Sequence, residues 1–229
     1  TKNDSKAISE MDKLKNRNIL FLVGWLYFCI SLQAQQKVTE YTKDFSFKEG
    51  VYLSFSDFKN NSPIPLSKVV FNANRGDRDF LKYALDKKDF VYLDSLGKEQ
   101  QIETSKVWGY SANDAIYVNY GTSFNRVVVI GSISHFVATV QTIVSLRNPY
   151  YYYDPYYNRT QYNYTTGQYI LDFETGTIGD FNVTNMESLL QRDQELYKEF
   201  GALNKKKKRE SIFIYLRKYN EKHAIYFPL

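Results

Sequence analysis

The chain has 229 residues and carries 30 lysine and arginine residues against 25 aspartate and glutamate residues, a formal net charge of +5. Without residues 1–34 the balance is 25 basic to 22 acidic residues, and this net charge of +3 argues against a nucleic-acid-binding protein. Cys29 is the only cysteine, which excludes disulfides and cysteine-bound zinc from the rest of the chain.

A secretory signal peptide is predicted at residues 11–34. A basic segment, residues 13–17, precedes an uncharged apolar stretch at residues 19–30, and the small residue Ala34 stands before Gln35. A basic start, an apolar middle and a small residue before the cut are the three parts of a secretory signal. We therefore expect cleavage between Ala34 and Gln35.

Two other interpretations of the amino-terminal region are open. The apolar stretch is shorter than the roughly 20 residues of a membrane span, which disfavours an uncleaved anchor. A lipoprotein is disfavoured because bulky Tyr27 and Phe28 precede Cys29. Residues 1–10 precede Met11 and do not resemble a signal, so we expect them to be an upstream artefact with Met11 as the initiator.

A β-rich body is expected at residues 49–182, after a linker or loose strand at residues 35–48. Short alternating or β-branched runs separated by turn residues predict its strands. These runs are residues 51–55, 69–71, 90–93, 102–110, 115–120, 125–140 with a continuation to Val144, and 169–173. Residues 56–63 predict one helical turn that stops before a proline.

The turns and the most apolar strand complete the β pattern. Turns are predicted at residues 94–97, 111–114 and 175–176. The continuous run 127–130 predicts a strand that is buried on both faces, and Gly131 predicts a bend after it. Closely spaced strands of this kind predict an antiparallel barrel or sandwich.

The carboxy-terminal part, residues 183–229, is predicted to be helical. Thr184 and Glu187 fit a capping box, and apolar residues then recur at helical spacing up to Leu203. Gly201 predicts the end of this first helix. A second apolar stripe from Ile212 predicts another amphipathic helix, so the fold class is mainly β with two carboxy-terminal helices.

Several segments together resemble a group of uncharacterised exported proteins from Bacteroidota. They are residues 33–35, 50–63, 107–110 with 115–118, 131–136 and 215–228. The resemblance spans nearly all of the chain after the signal. It implies export to the periplasm, the cell surface or the medium of a Gram-negative cell, and it assigns no activity to any residue.

The main candidate site is a tyrosine-rich segment, residues 148–167, whose prolines, asparagines and glycine predict a loop. Tyrosines in a loop present flat rings with a hydroxyl at the edge, which suits glycan or protein ligands. The competing interpretation is a hairpin whose rings fold back over the β body. The candidate ligand-binding residues are Tyr151, Tyr153, Tyr156, Tyr157, Tyr162 and Tyr164.

Other candidate sites are weaker. The basic run at residues 205–209 is typical of a solvated connector between helices, and contact with acidic lipids is the alternative. His135 lies in an apolar predicted strand, so we expect it to be a hydrogen-bonded core residue. It shares no sequence context with His223, so no metal site is predicted. The sequence contains no cofactor-binding or hydrolase motif.

These patterns favour a non-catalytic module that binds a protein or glycan, with peripheral contact to the cell envelope as a further possibility. The alternatives are a secreted or periplasmic hydrolase without a recognised motif and an integral outer-membrane barrel. A barrel of that kind shows regular strands of about 10 residues and ends in a strand, which the helical carboxy-terminal part opposes. A serine, histidine and aspartate triad is recognised by geometry and not by spacing, so the hydrolase alternative stays open.

Overall fold

The computed structural model describes residues 37–145 and 160–229. The strands in these ranges are β1 Val38–Glu40, β2 Gly50–Tyr52, β3 Ile64–Pro65, β4 Asp89–Leu93, β5 Glu99–Glu103, β6 Gly109–Ala112, β7 Ala115–Tyr120, β8 Ser123–Val129, β9 Ile133–Ser145, β10 Thr160–Asp172, β11 Ile178–Asp180 and β12 Tyr226–Pro228. The α-helices in the same ranges are α1 Phe55–Lys59, α2 Phe80–Leu85, α3 Val183–Leu190, α4 Gln194–Gly201 and α5 Lys205–Lys222.

The centre of the fold is an eight-stranded sheet in the order β11-β10-β9-β8-β7-β6-β2-β3. Its strand pairs are antiparallel, and β4–β5 and β1–β12 form two small antiparallel sheets beside it. The mainly β prediction is therefore confirmed. Since β11 and β3 do not pair with each other in the described part of the chain, the sheet is open and layered like a sandwich, not closed like a barrel.

Local turn chemistry explains the run of hairpins from β6 to β8. Asn113 and Asp114, between β6 and β7, have φ angles of 52° and 57°. Two consecutive left-handed residues match the twist of the flanking strands, and asparagine and aspartate tolerate this conformation. Gly121, between β7 and β8, has a φ of 70° and lies so close to the Thr139 carbonyl that a side chain there would collide with it. These turns bring strands that are neighbours in sequence side by side.

One face of the sheet is covered by an aromatic layer. Sheet side chains such as Tyr52, Phe136 and Leu171 pack there against residues from the amino-terminal segment and the last strand. Phe227 of β12 is fully buried, and its ring centroid lies 5.1–5.4 Å from four other phenylalanine rings, those of Phe45, Phe47, Phe58 and Phe173. Aromatic pairs at these distances stabilise the core beyond their buried area.

The other face is covered by two separate groups of elements. At the β9–β10 end, Ile133 and Ile170 pack against apolar side chains of α3, α4 and α5. At the β2–β6 end, Val51 and Tyr110 pack against α2 and the β4–β5 hairpin. Helices α2–α5 therefore lie on the same sheet face as the β4–β5 hairpin, whereas α1 contributes Phe58 to the aromatic layer on the opposite face.

Several strand predictions differ from the structure. Residues 125–140 are not one strand with a bend at Gly131, because a turn divides them into β8 and β9, which pair antiparallel. Residues 69–71 make only an isolated bridge, Val69 with Tyr92, and residues 102–110 are divided by a 3₁₀ turn at Thr104–Lys106. Burial of 127–130 on both faces is wrong, because Val128 is 69% exposed while Val127 is buried. No described residue covers the face of β8 on which Val128 lies.

The carboxy-terminal helices are confirmed, but there are three in the described residues because the first predicted helix is divided. Its amino terminus is capped by Asn182, whose Oδ1 accepts from the Asn185 N–H, so the predicted Thr184–Glu187 capping box is wrong. The helical pattern breaks at Asp193, whose side chain caps α4 by accepting from the Glu195 and Leu196 N–H groups. Residues 205–209 are the first turns of α5 and not a connector.

Candidate binding surface

Strands β9 and β10 form a long hairpin that extends beyond the neighbouring strand. They pair over 13 residues each, from Ile133 opposite Asp172 to Ser145 opposite Thr160. Strand β8 follows β9 only to the level of Thr139, whose carbonyl accepts from the Thr122 N–H. Residues 141–145 and 160–164 therefore form a two-stranded extension, which we call the arm.

One face of the arm carries exposed apolar and aromatic side chains. Ile143 lies directly opposite Tyr162, and Gln141 lies directly opposite Tyr164. Directly opposite partners, and residues two apart on one strand, share a face of the sheet. Ile143 is 68% exposed, Tyr162 52% and Tyr164 63%. The arm therefore presents two tyrosine rings and one isoleucine side chain to solvent on a single face.

The backbone edge of β10 along the arm is open. Strand β11 pairs with β10 only at residues 169–171, and the next bond on that edge runs from the Phe181 N–H to the Gln168 carbonyl. Because hydrogen-bonding direction alternates along a strand, Tyr162, Tyr164 and Thr166 direct their N–H and C=O groups to the same edge as Gln168. In the described part of the chain, no backbone group forms a hydrogen bond with these three N–H and three C=O groups.

A groove continues from the arm towards the first turns of α5. It consists of two connecting clefts of about 640 and 440 Å³, which share Phe181, Arg209 and Ile212. The first cleft is also lined by Val137, Thr166, Gly167, Gln168 and Phe213, and the second by residues 182–184 and Lys205. Val137 is 45% exposed and lies on the same sheet face as the arm tyrosines, separated from them by the exposed Thr139–Thr166 pair.

The groove has positive charge and no carboxylate in its lining. Lys205 and Arg209 are exposed, and within residues 37–145 and 160–229 neither forms an ion pair. Their neighbours differ, because Lys206 and Lys208 pair with Glu210 and Glu187 on the helices. Electrostatic complementarity would therefore favour a ligand with negative charge at this end of the surface.

His135 lies beneath the groove and supports its apolar wall. Its ring packs edge-on against Phe181 and Phe213, with centroids 4.9 Å apart in each case, and its Nε2 is 3.0 Å from the Gln168 Oε1. Burial lowers the pKa of His135, and the smaller effect of the Gln168 hydrogen bond opposes it. The interpretation of His135 as a hydrogen-bonded core residue agrees with this placement, since it faces an amide and two phenylalanines and not a carboxylate.

A separate polar cleft of about 300 Å³ lies between the β10–β11 turn and α3. Arg192 forms a bidentate ion pair with Asp172, with N–O distances of 2.9 and 2.8 Å. Thr175 donates to the same carboxylate at 2.7 Å. Burial alone would raise the pKa of Asp172, but the hydrogen bonds from Arg192 and Thr175 hold it below its ordinary value. This ion pair links the helices to the sheet. Because its charged groups already bind each other, the cleft offers no unpaired group for catalysis.

One grouping of serine, histidine and aspartate is present, but it lacks the geometry of a hydrolase. His223 Nε2 lies 2.9 Å from Asp193 Oδ2, and Lys222 Nζ is also 2.9 Å from that oxygen. Ser132 Oγ donates to the His223 backbone carbonyl at 2.6 Å, so its proton is directed away from the imidazole. Bonds from Lys222, the Leu196 N–H and His223 lower the pKa of Asp193. This grouping therefore serves as a helix-terminal ion-pair network.

Residues 37–145 and 160–229 contain no group of three or more histidine, cysteine, aspartate or glutamate side chains that could hold a metal ion. No helix in that part of the chain has the length and hydropathy that a membrane span requires.

The candidate tyrosines fall into two sets. Tyr162 and Tyr164 lie in β10, so the prediction of a loop is wrong for residues 160–167, which form a strand paired to β9. Tyr151, Tyr153, Tyr156 and Tyr157 lie outside the described residues, as does the predicted cleavage between Ala34 and Gln35. Sequence reasoning missed Ile143, Val137 and Arg209 as parts of the surface. Residues 137–143 do not alternate regularly between apolar and polar, so no local pattern marks Val137 and Ile143 as exposed.

A comparison with protein families locates the similarity of this chain in the same region. A family of unknown function (DUF6563) matches residues 156–223, which contain β10, β11 and helices α3–α5. No curated protein and no solved structure matches the chain. The open edge of β10, the groove residues Lys205 and Arg209, and the Asp172–Arg192 pair lie in the matched segment, which is therefore similar to a domain of unknown function. Val137, which also lines the groove, lies outside it.

Proposed function

We propose that the chain is a non-catalytic binding module that is exported to the periplasm or surface of a Gram-negative cell. In this proposal, the exposed face of the arm recognises a protein or a glycan. The observation that carries the proposal is the presentation of Tyr162, Tyr164 and Ile143 on one solvent-facing side of a strand pair. A tyrosine ring contributes a large apolar face with a hydroxyl at its edge, and it loses little conformational entropy on binding.

The burial of the other aromatic residues supports this proposal. Most of the described phenylalanines and many tyrosines pack into the layers on either side of the sheet, as in the cluster around Phe227. The arm tyrosines lie on β10, the strand that also supplies side chains to the core. They lie, however, in the part of β10 that extends beyond the elements covering the sheet. Contiguous exposed apolar groups of this kind mark interaction sites, because exposing them to water without a partner is unfavourable.

The test uses the double variant Tyr162→Ser, Tyr164→Ser of the full chain, with Tyr83→Ser as the matched control. Tyr83 is an exposed tyrosine on α2, which packs at the β2–β6 end of the sheet. A glycan array and a displayed library of random decapeptides are the probes. We expect ligands selected on the wild-type chain to bind Tyr83→Ser equally and to lose binding to the double variant by about tenfold or more, as is typical of aromatic anchors.

Three results would count against the proposal. One is selection of no ligand from either library, and another is equal binding by the double variant and the control. A fall of more than a few degrees in the melting temperature of the double variant would show that the two rings support the fold and not a ligand.

A further inference from the structure

We propose that the open edge of β10 takes up an extended peptide with acidic residues at its amino-terminal end, which adds to the sheet as an antiparallel strand. This inference rests on the proposed function and specifies the partner chemistry of the same surface. Its central observation is that the backbone edge at Tyr162, Tyr164 and Thr166 adjoins a groove lined by Arg209 and Lys205.

The backbone geometry provides the first step. Three N–H and three C=O groups from Tyr162, Tyr164 and Thr166 point to the open edge, over a length of about 16 Å. An extended peptide of five or six residues can satisfy these groups, and main-chain bonds of this type give affinity in strand addition. Antiparallel addition continues the pattern of the sheet, in which the strand pairs are antiparallel.

The edge lacks the features with which proteins block strand addition. Residues 160–168 contain no lysine, no other charged residue and no proline. Native edge strands are commonly protected by charged side chains, prolines or bulges. The ladder from Thr160 to Asp172 against β9 is also regular, without a register shift. An unprotected regular edge is expected where pairing with a partner is used.

The groove determines which peptide fits. It lies at the Thr166–Gln168 end of the edge, so the amino-terminal end of an antiparallel strand would enter it. Phe181, Ile212 and Phe213 provide an apolar wall for an alternate side chain of the peptide. Arg209 and Lys205 line the groove without a carboxylate beside them, which favours glutamate or aspartate in the first residues of the peptide.

The decisive variant removes a hydrogen-bond donor from the edge and keeps both tyrosines. Thr166→Pro removes an N–H group that faces away from β9, and proline is tolerated at such positions of edge strands. Thr166→Val is the matched control. It keeps the N–H but loses the hydroxyl that is 2.9 Å from Thr139 Oγ1. Melting temperatures establish that both variants of the full chain are folded.

The probes are two end-blocked octapeptides, EEVTVTVT and KKVTVTVT, and affinities are measured by fluorescence polarisation. We expect the acidic peptide to bind about tenfold more tightly than the basic one, and Arg209→Gln to reduce this preference. Thr166→Pro should weaken binding of the acidic peptide by about tenfold relative to Thr166→Val, since one backbone bond is lost. Amide exchange followed by NMR should show new protection at Tyr162, Tyr164 and Thr166 in the complex, with Asn163 and Thr165 unchanged.

Several outcomes would overturn strand addition. They are equal binding by the proline and valine variants, equal binding of the two octapeptides, no binding of either, and unchanged exchange at the three edge amides. If Thr166→Pro does not fold, the exchange measurement on the wild-type chain decides. Protection of the edge amides before peptide is added would show that a second copy or another segment of the chain already occupies the edge.

The failure of this inference can be distinguished from the failure of the proposed function. If ligands from the glycan or decapeptide libraries lose binding to Tyr162→Ser, Tyr164→Ser but bind Thr166→Pro normally, the aromatic face binds without strand addition. In that case the proposed function stands and the inference is wrong.

Discussion

The contact between α5 and the start of β9 leads to a quantitative prediction about Asn220. The Asn220 Oδ1 accepts from the Ile133 N–H at 2.8 Å, and its Nδ2 donates to the Ile133 carbonyl at 2.8 Å. Ile133 is fully buried, so both backbone groups depend on this one side chain. The perturbation is Asn220→Ala, which removes both hydrogen bonds without adding volume.

The expected cost follows from the number of groups left without a partner. A buried donor or acceptor that loses its partner costs about 1–3 kcal/mol; because both contacts with Asn220 are only partly buried, we take about 1–2 kcal/mol for each Ile133 group, which gives about 2–4 kcal/mol in total. In a protein of this size, 1 kcal/mol lowers the melting temperature by about 2–4 °C. We therefore expect a fall of roughly 5–15 °C. Glu221→Ala is the control, since Glu221 is the exposed next residue of the same helix and forms no ion pair within the described residues.

Gly131 provides a second way to break the same contact. A Cβ atom at Gly131 would lie 2.5 Å from the Asn220 Cγ, so Gly131→Ala must displace the Asn220 side chain. The two variants should therefore not be additive. Once Asn220 is alanine, the three atoms nearest to the added methyl group are absent, and the double variant should be about as stable as Asn220→Ala alone.

The assay is urea unfolding of the full chain, followed by circular dichroism, for the wild type, both single variants, the double variant and the control. The coupling free energy from this cycle should be about 1.5 kcal/mol or more. A loss below 1 kcal/mol for Asn220→Ala, or additive losses in the double variant, would refute the reasoning that one amide satisfies both Ile133 groups.

Two further predictions concern pH and export. The pKa of His135 is lowered in the folded chain, so the unfolded chain binds more protons and stability should fall as the pH drops below about 6.5. His135→Gln should reduce the fall in melting temperature between pH 7 and 5, and an unchanged fall would contradict a titrating His135. For export, amino-terminal sequencing of protein from the periplasm or medium should begin at Gln35, and recovery only from the cytosol with Met11 attached would contradict it.

The parts of the fold that sequence predicted are those that short-range chemistry determines. Asn113 and Asp114 favour left-handed backbone by themselves, and the alternation in residues 115–120 is a property of one strand. The hairpin order of the sheet follows from such turns. Burial of the outer face of β8 depends instead on which distant element covers it, and for this reason the apolar residue Val128 was misinterpreted.

The division of the first carboxy-terminal helix shows the same limit at a single residue. The apolar spacing continues from Leu190 to Leu196, so the sequence pattern predicts one helix. Asp193 ends that helix because it caps α4 and also accepts from Lys222 and His223, which lie about 30 residues further along the chain. Partners that are so distant in sequence could not be identified before the position of α5 was known.

Of the residues that form the candidate surface, the sequence predicts only the aromatic ones. Tyr162 and Tyr164 were candidates because tyrosine in a polar segment is unusual, but they were placed in a loop. A loop would have no regular edge, whereas the register of β10 against β9 provides both the edge and the common direction of the two rings. Arg209 joins the surface only because α5 packs across the sheet.

The physical unit that carries this surface is larger than the segment that matches the family. Residues 156–223 include β10, but each of its 13 residues from Thr160 to Asp172 pairs with β9, which lies outside the match. The helices of the segment pack on Ile133 and are held there by Asn220. A fragment limited to the match would expose the inner faces of these helices. It would also leave β10 without a partner along the whole edge that pairs with β9, in addition to the open edge at residues 162–166, which favours aggregation. The arm and groove therefore need β9 and the rest of the central sheet as their support, together with β12, whose Phe227 packs in the aromatic layer on the opposite face.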